Sequence, residues 1–301
     1  MNEKILNHYL QFSTFTNPGC YKKILQSLPD DIKEIGLLIR KQIIHKVTLK
    51  NGNTGSNTDL RYGNMNEFPW WRLRCEDDIL PTASAMISEL MRLDNRGFVP
   101  DRATENKIIV TCRYISILMA SILKSKGVPC RVRSGFASYF SGLKGSHDHW
   151  INQYWDGKEW ITIDIDSCLE NLGFDSFNIP KNKFDFAANT WLGIRKGKLN
   201  ENNFINAGGF KGLMPVSWAI FYDFHSLMNN EIIYFHGPNY SRISEFGKLK
   251  EDDLKEIDEL AELMLNPDEN FDELKENWET KKKFRILSGG LIGDKDHVKW
   301  R

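Results

Sequence analysis

Hydrophobic residues recur along this chain with two different periods, and the switch between them sets off the middle third. Up to about residue 100 the period is helical. Ile32, Ile35, Leu38, Ile39 and Ile43 follow one another at three- and four-residue steps behind Pro29-Asp30-Asp31, a helix-start composition. Ala85, Ile87, Leu90 and Met91 predict a second helix opened by Pro81. Between the two, Lys50 to Asn66 is rich in Gly, Asn and Thr and predicts a loop.

From Thr111 the residues Ile115, Leu118, Met119, Ile122 and Leu123 predict a helix that stops at Gly127, and Pro129 forbids its continuation. Cys130 to Phe140 and His149 to Trp155 then alternate as strands do. Asp156-Gly157 predicts a two-residue hairpin turn, with Lys158 to Asp164 as the returning strand. In that register His149 faces Asp164. After Asp166 helical spacing returns over Lys183 to Ile194, Val216 to Met228, Asp252 to Leu265 and Phe271 to Phe284, punctuated by Pro180, Pro215 and Pro267.

The pattern predicts an α+β fold in three parts: a mainly helical region over 1–100, a helix-and-sheet core over 101–170, and a helical extension over 171–301 packed on that core as one compact unit. Hydrophobic residues at 41% suffice for a packed interior and argue against a disordered chain. The 40 basic residues balance the 40 acidic ones, so no net field draws the chain to nucleic acid or a membrane surface. Lys281-Lys282-Lys283, beside acidic helices, reads as a solvated face. No apolar run approaches a membrane span, and Met1-Asn2-Glu3-Lys4 lacks the features of a signal peptide. Cysteines 20, 75, 112, 130 and 168 are odd in number and contain no Cys-x-x-Cys pair, which points to a reducing, cytoplasmic setting.

The chemistry concentrates in the core. Thr111 can cap the helix behind it, which sets Cys112 in the first turn, where the helix dipole favours a thiolate. His149 can act as its base and Asp164 can orient the imidazole. Taken one at a time, a lone cysteine beside an apolar run reads as core filler and a lone histidine as a satisfied structural polar group. The predicted pairing across the hairpin is what raises His149 and Asp164 above that.

Cys112-Arg113, then Gly127-Val128-Pro129-Cys130-Arg131-Val132-Arg133-Ser134-Gly135-Phe136, then His149-Trp150, then Trp160-Ile161-Thr162-Ile163-Asp164 resemble the core of the transglutaminase-like superfamily. The resemblance spans about residues 106–168 and implies a papain-like fold with Cys112 as nucleophile, His149 as base and Asp164 as orienter. It departs from many bacterial members at Val110, where they carry glycine, and at Tyr114, where they often carry an acid. By looser analogy Trp70 or Trp71 is a candidate oxyanion donor, although core or cleft-wall packing is the plainer reading of that pair. Asp166 and His147 are secondary candidates, Asp166 as orienter should the hairpin register slip by two.

The implied function is cysteine-dependent acyl transfer, or amide or peptide hydrolysis, through a thioester. It needs no cofactor or metal, and it acts on a peptide, a protein or a small amide. Two other readings compete. A scaffold could keep this fold without turnover. Alternatively, His147, His149, Asp164 and Asp166 could form a metal site. The clusters Phe68-Pro69-Trp70-Trp71 and Trp218 to Phe224 are expected to roof the cleft or to belong to the ordinary core, and Cys130, Cys168, His225 and His236 to be structural.

Overall fold

The structure, a computed structural model, describes residues 2–46, 68–140, 143–234 and 236–285. The predicted loop at Lys50 to Asn66 lies outside them. The chain forms two compact units. The first comprises Met1–Val132 and Trp150–Pro180, the second Arg133–His149 and Lys181–Arg301. It is an α+β fold whose antiparallel strands lie mid-sequence, with helices before and after them.

In the first unit, helices α1 (Glu3–Leu10) and α3 (Ile32–Gln42) begin at Asn2 and Asp31, whose side chains accept the N–H of Lys4 and Glu34. The short α2 (Lys22–Gln26) lies between them, and α4 (Ala83–Leu93) is capped by Thr82. One pairing has no local signal: β1 (Ile43–His45), directly after α3, runs parallel to β2 (Ile108–Val110). Helix α5 (Cys112–Ser125) follows β2 and is buried along its whole length, with α2, α3 and α4 packed on it. Its predicted apolar stripe is therefore wider than one face. Even Lys124 is buried, donating to the Gln11 carbonyl at 2.9 Å.

The sheet has the order β5-β4-β3-β6, with β3 at Cys130–Ala137, β4 at Ser146–Trp155, β5 at Trp160–Ile163 and β6 at Phe184–Phe186. The hairpin exists, but its register differs from the predicted one. Asp156 Oδ1 accepts the N–H groups of both Lys158 and Glu159 at 2.8 Å, and the Asp156 N–H donates to the Glu159 carbonyl at 3.2 Å. Asp156 is thus the residue before the turn, and Gly157, with φ +104°, takes its first central position. Trp155 then pairs with Trp160, and Asn152 with Ile163. The ladder is therefore shifted by two residues from the register that set His149 directly across from Asp164, because an aspartate that caps the turn cannot also sit at its tip.

The buried Arg131 of β3 fixes this end of the sheet. Its guanidinium lies over the rings of Trp160 and Tyr9, at 4.2 and 5.2 Å from their centroids, and donates to Gln153 Oε1 at 2.9 Å.

In the second unit, β6 pairs antiparallel with Gly135–Ala137 of β3, and β7 (Phe204–Ile205) pairs parallel with Ser146 and His147 of β4. Strand β6 and helix α6 (Ala187–Arg195) divide the stretch expected to be one helix. Phe184, Asp185 and Phe186 alternate, and the partner strand was invisible to a local reading. Gly135 is required here, since a β-carbon would collide with the Asp185 carbonyl of the adjoining strand. Helix α7 (Leu213–Leu227) carries Asp223, which takes two bonds of 2.8 Å from the Arg133 guanidinium and one of 2.9 Å from the Ser134 N–H. Helix α8 (Ile243–Phe246) is a single turn. Helix α9 (Glu251–Leu265) follows as predicted, α10 (Phe271–Thr280) stops short of the predicted Phe284, where a 3₁₀ turn takes over, and α6 packs against α7 and α9.

Candidate active site

Cys112 is the first residue of α5 and is 8% exposed. Thr111 occupies the N-cap position, as expected, but its hydroxyl does not cap the helix. It donates to Asp77 Oδ2 at 3.0 Å, and the Thr111 N–H donates to Asp77 Oδ1 at the same distance. The Tyr114 hydroxyl donates to the Asp77 carbonyl at 2.6 Å. Just before it, Glu76 clamps β2: its N–H donates to the Ile109 carbonyl (2.8 Å) and its Oε2 accepts the Ile109 N–H (2.7 Å). The chain entering the cysteine helix is therefore strapped by two buried acids.

Sequence reasoning missed this strap. Glu76 and Asp77 sit in a run of charged residues that reads as solvated, and 34 residues separate Asp77 from Thr111. Burial raises the carboxyl pKa of both, above all by desolvation, and pushes the Cys75 thiol beside them up to about 12. Cys75 is thus a poor nucleophile.

Asp164 directly follows the last residue of β5 and is fully buried. It has left the ladder: its N–H donates to the Ser176 carbonyl at 2.8 Å, and its Oδ1 accepts the Ser167 N–H at 3.1 Å. One side chain relates it to the cysteine helix. Asn152, the ladder partner of Ile163, donates through Nδ2 to the Ser116 carbonyl at 2.9 Å, one turn beyond Cys112. The start of α5 and the end of β5 are tied to the same point of β4.

His149 is the last residue of the second unit's Arg133–His149 stretch and is 2% exposed. The Phe140 ring meets its imidazole edge to face, with centroids 4.9 Å apart. The neighbouring Asp148 accepts the Ala207 N–H at 2.8 Å, and desolvation pushes its carboxyl up to about 6.

The secondary candidates have other surroundings. Asp166, the alternative orienter for a register shifted by two, lies 3.4 Å from Arg40 and 3.4 Å from His45. His147 lies on β4, with Nε2 3.1 Å from the Lys144 carbonyl. Trp70 and Trp71 form an exposed 3₁₀ turn, 79% and 66% accessible, edge to face with each other. That rules out the core alternative of the core-or-cleft-wall expectation for the pair; of their cluster Phe68 alone is buried, against Ile44 and Ile109. Among the described residues no group of three or more His, Cys, Asp or Glu is placed to hold a metal ion. Cys168 is pushed up to about 12 by burial, and Cys130 is fully buried.

Residues 95–165 match the family profile of the transglutaminase-like superfamily. This part of the chain is similar to the core of that superfamily. The matched segment contains β2, α5, β3, β4 and β5, and with them Cys112, His149 and Asp164. No curated protein matches the chain. Among solved structures, a protein from Cytophaga hutchinsonii, provisionally named a cysteine protease, aligns at 14% identity with a TM-score of 0.35. That alignment covers 62% of this chain and 46% of the other, so the chain spans less than half of that protein's length. A likeness this loose transfers neither fold nor activity. Within the matched segment Cys112 is the residue that opens the buried helix α5. No helix among the described residues is long and apolar enough to cross a membrane.

Proposed function

We propose that this chain is a cysteine-dependent acyltransferase or amide hydrolase in which Cys112, His149 and Asp164 act as nucleophile, base and orienter. The observation that carries the proposal is the place of Cys112: the first residue of a buried helix, inside a transglutaminase-like segment that also contains His149 and Asp164 in the family's order. A thiolate there gains from the helix dipole, whereas the desolvated thiols of Cys75 and Cys168 are held protonated.

In the proposed reaction the Cys112 thiolate attacks the carbonyl carbon of a carboxamide or peptide. The C–N bond breaks, the His149 imidazolium gives its proton to the departing nitrogen, and a thioester forms. Water or an amine then attacks the thioester. Its proton passes to His149, the C–S bond breaks, and the thiolate is restored. Asp164 holds the imidazole tautomer through a ring N–H. Exclusion of water from the thioester selects transfer over hydrolysis. The substrate is a peptide, a protein or a small amide.

Intact-mass analysis after limited iodoacetamide treatment near pH 6 tests this directly. Cys112 is expected to alkylate well ahead of the exposed Cys20, and incubation with peptide or amide libraries is expected to leave an acyl adduct that Cys112→Ala lacks. Alkylation of Cys112 no faster than that of Cys20, with no adduct from any donor, would sink the proposal.

A further inference from the structure

A cavity of about 300 Å³ in the second unit is lined by the Gly237–Leu249 stretch, the start of α9 and the chain beyond α10. Cations outnumber anions on its wall, and most of the charges are already matched. Lys248 pairs with Glu245 at 3.1 Å, and Lys283 pairs with Glu256. The Tyr240 hydroxyl donates toward Asp253 and Glu256, and Asp253 also accepts the Lys250 N–H that starts α9.

Two guanidinium groups stand apart from this network. Arg242 and Arg285 have no carboxylate partner among the described residues, and each keeps one solvent-shielded nitrogen, Nη1 of Arg242 and Nε of Arg285, with no acceptor there. Arg285 is held in place, since its guanidinium lies over the Trp278 ring and Nη2 donates to the Glu279 carbonyl at 3.3 Å. Both guanidinium groups line the cavity, and two cations without a matching carboxylate on one wall favour an anionic ligand with several oxygen acceptors.

We propose that this cavity binds a small molecule bearing a phosphate group, with phosphate oxygens accepting from Arg242 and Arg285 and the remainder lying on Pro238 and Leu249. Two guanidinium forks suit a phosphate better than a single carboxylate. Its charge at pH 7 is between about −1.5 and −2, and it offers three oxygens where a carboxylate offers two. The volume lies at the small end of ligand cavities, which fits a phosphorylated metabolite rather than a dinucleotide. The site is independent of the Cys112 chemistry.

Titration calorimetry on the full chain at low ionic strength tests the site, with inorganic phosphate and glycerol phosphate as probes and acetate as the monovalent control. Both phosphates are expected to bind saturably and acetate far more weakly. Arg242→Gln and Arg285→Gln should each weaken phosphate binding about tenfold or more, and Arg285→Lys should fall between, because it keeps the charge and loses the fork. Lys196→Gln, a surface lysine paired with Glu262, should leave the affinity unchanged. Circular dichroism of each variant verifies that it is folded. Tighter binding of glycerol phosphate than of inorganic phosphate assigns the organic ester as the natural occupant. Absence of saturable binding by the wild-type chain would overturn the proposal, as would equal affinity in a folded Arg242→Gln, Arg285→Gln double variant.

Discussion

Asp77→Ala should loosen the start of the cysteine helix and cost the whole protein stability. The carboxylate accepts two bonds of 3.0 Å from Thr111, and the two residues are 7% and 9% exposed. Removing it strands a shielded N–H and a shielded hydroxyl, at about 1–3 kcal/mol each. Release of the desolvated carboxylate offsets part of that cost, since burial already raises its pKa. A net loss of about 2–4 kcal/mol is expected, read as a lower urea midpoint at pH 7 with an unchanged slope. Asp77→Asn keeps one acceptor and should lose about half as much.

Two further readouts separate Asp77 from a generic core residue. A folded-state pKa above the unfolded one means that the native protein takes up the proton first as pH falls. The pH-dependent part of the Asp77 contribution is therefore present in full below pH 3.8 and lost as pH rises through the raised value, so the gap between wild type and Asp77→Asn should widen on acidification. Removing a negative charge beside the helix start should also lower the pH midpoint of Cys112 alkylation. A loss under about 0.5 kcal/mol for Asp77→Ala, or coincident alkylation profiles, would show that the strap does not hold the cysteine helix.

Two other perturbations have worked signs. Asp223→Ala leaves the buried Arg133 guanidinium without its carboxylate and should cost about 3–5 kcal/mol by chemical denaturation, whereas Asp223→Ala with Arg133→Met should recover much of it; a double variant no more stable than the single one would contradict this account. His225 is buried, donates through Nε2 to the Phe284 carbonyl at 2.8 Å and accepts at Nδ1 from Asn230 at 3.1 Å, so desolvation pushes its pKa down to about 4. Its contribution is present above pH 6.5 and lost toward pH 4, a difference of about 3 kcal/mol at about 1.36 kcal/mol per unit. His225→Gln should flatten the stability curve across that window, and parallel curves for the two proteins would refute the assignment.

By itself the sequence determined what short-range physics controls. Asp31 and the spacing from Ile32 onward specify α3, Gly127 and Pro129 end the cysteine helix, and alternation marks β3 and β4. It also carried the order Cys112, His149, Asp164 on which the resemblance to the superfamily rests, because that order is a property of the chain. The hairpin register was only half legible. Asp156-Gly157 announced a turn, but whether the aspartate sits in the turn or caps it depends on which N–H groups its carboxylate meets. Tertiary structure alone decided the parallel pairing of β1 with β2, the bond from Asp77 to Thr111 and the ion pair of Arg133 with Asp223. Each joins residues dozens of positions apart. Nothing in local spacing encodes such contacts, because their loop-closure cost is met only when the core packs as a whole.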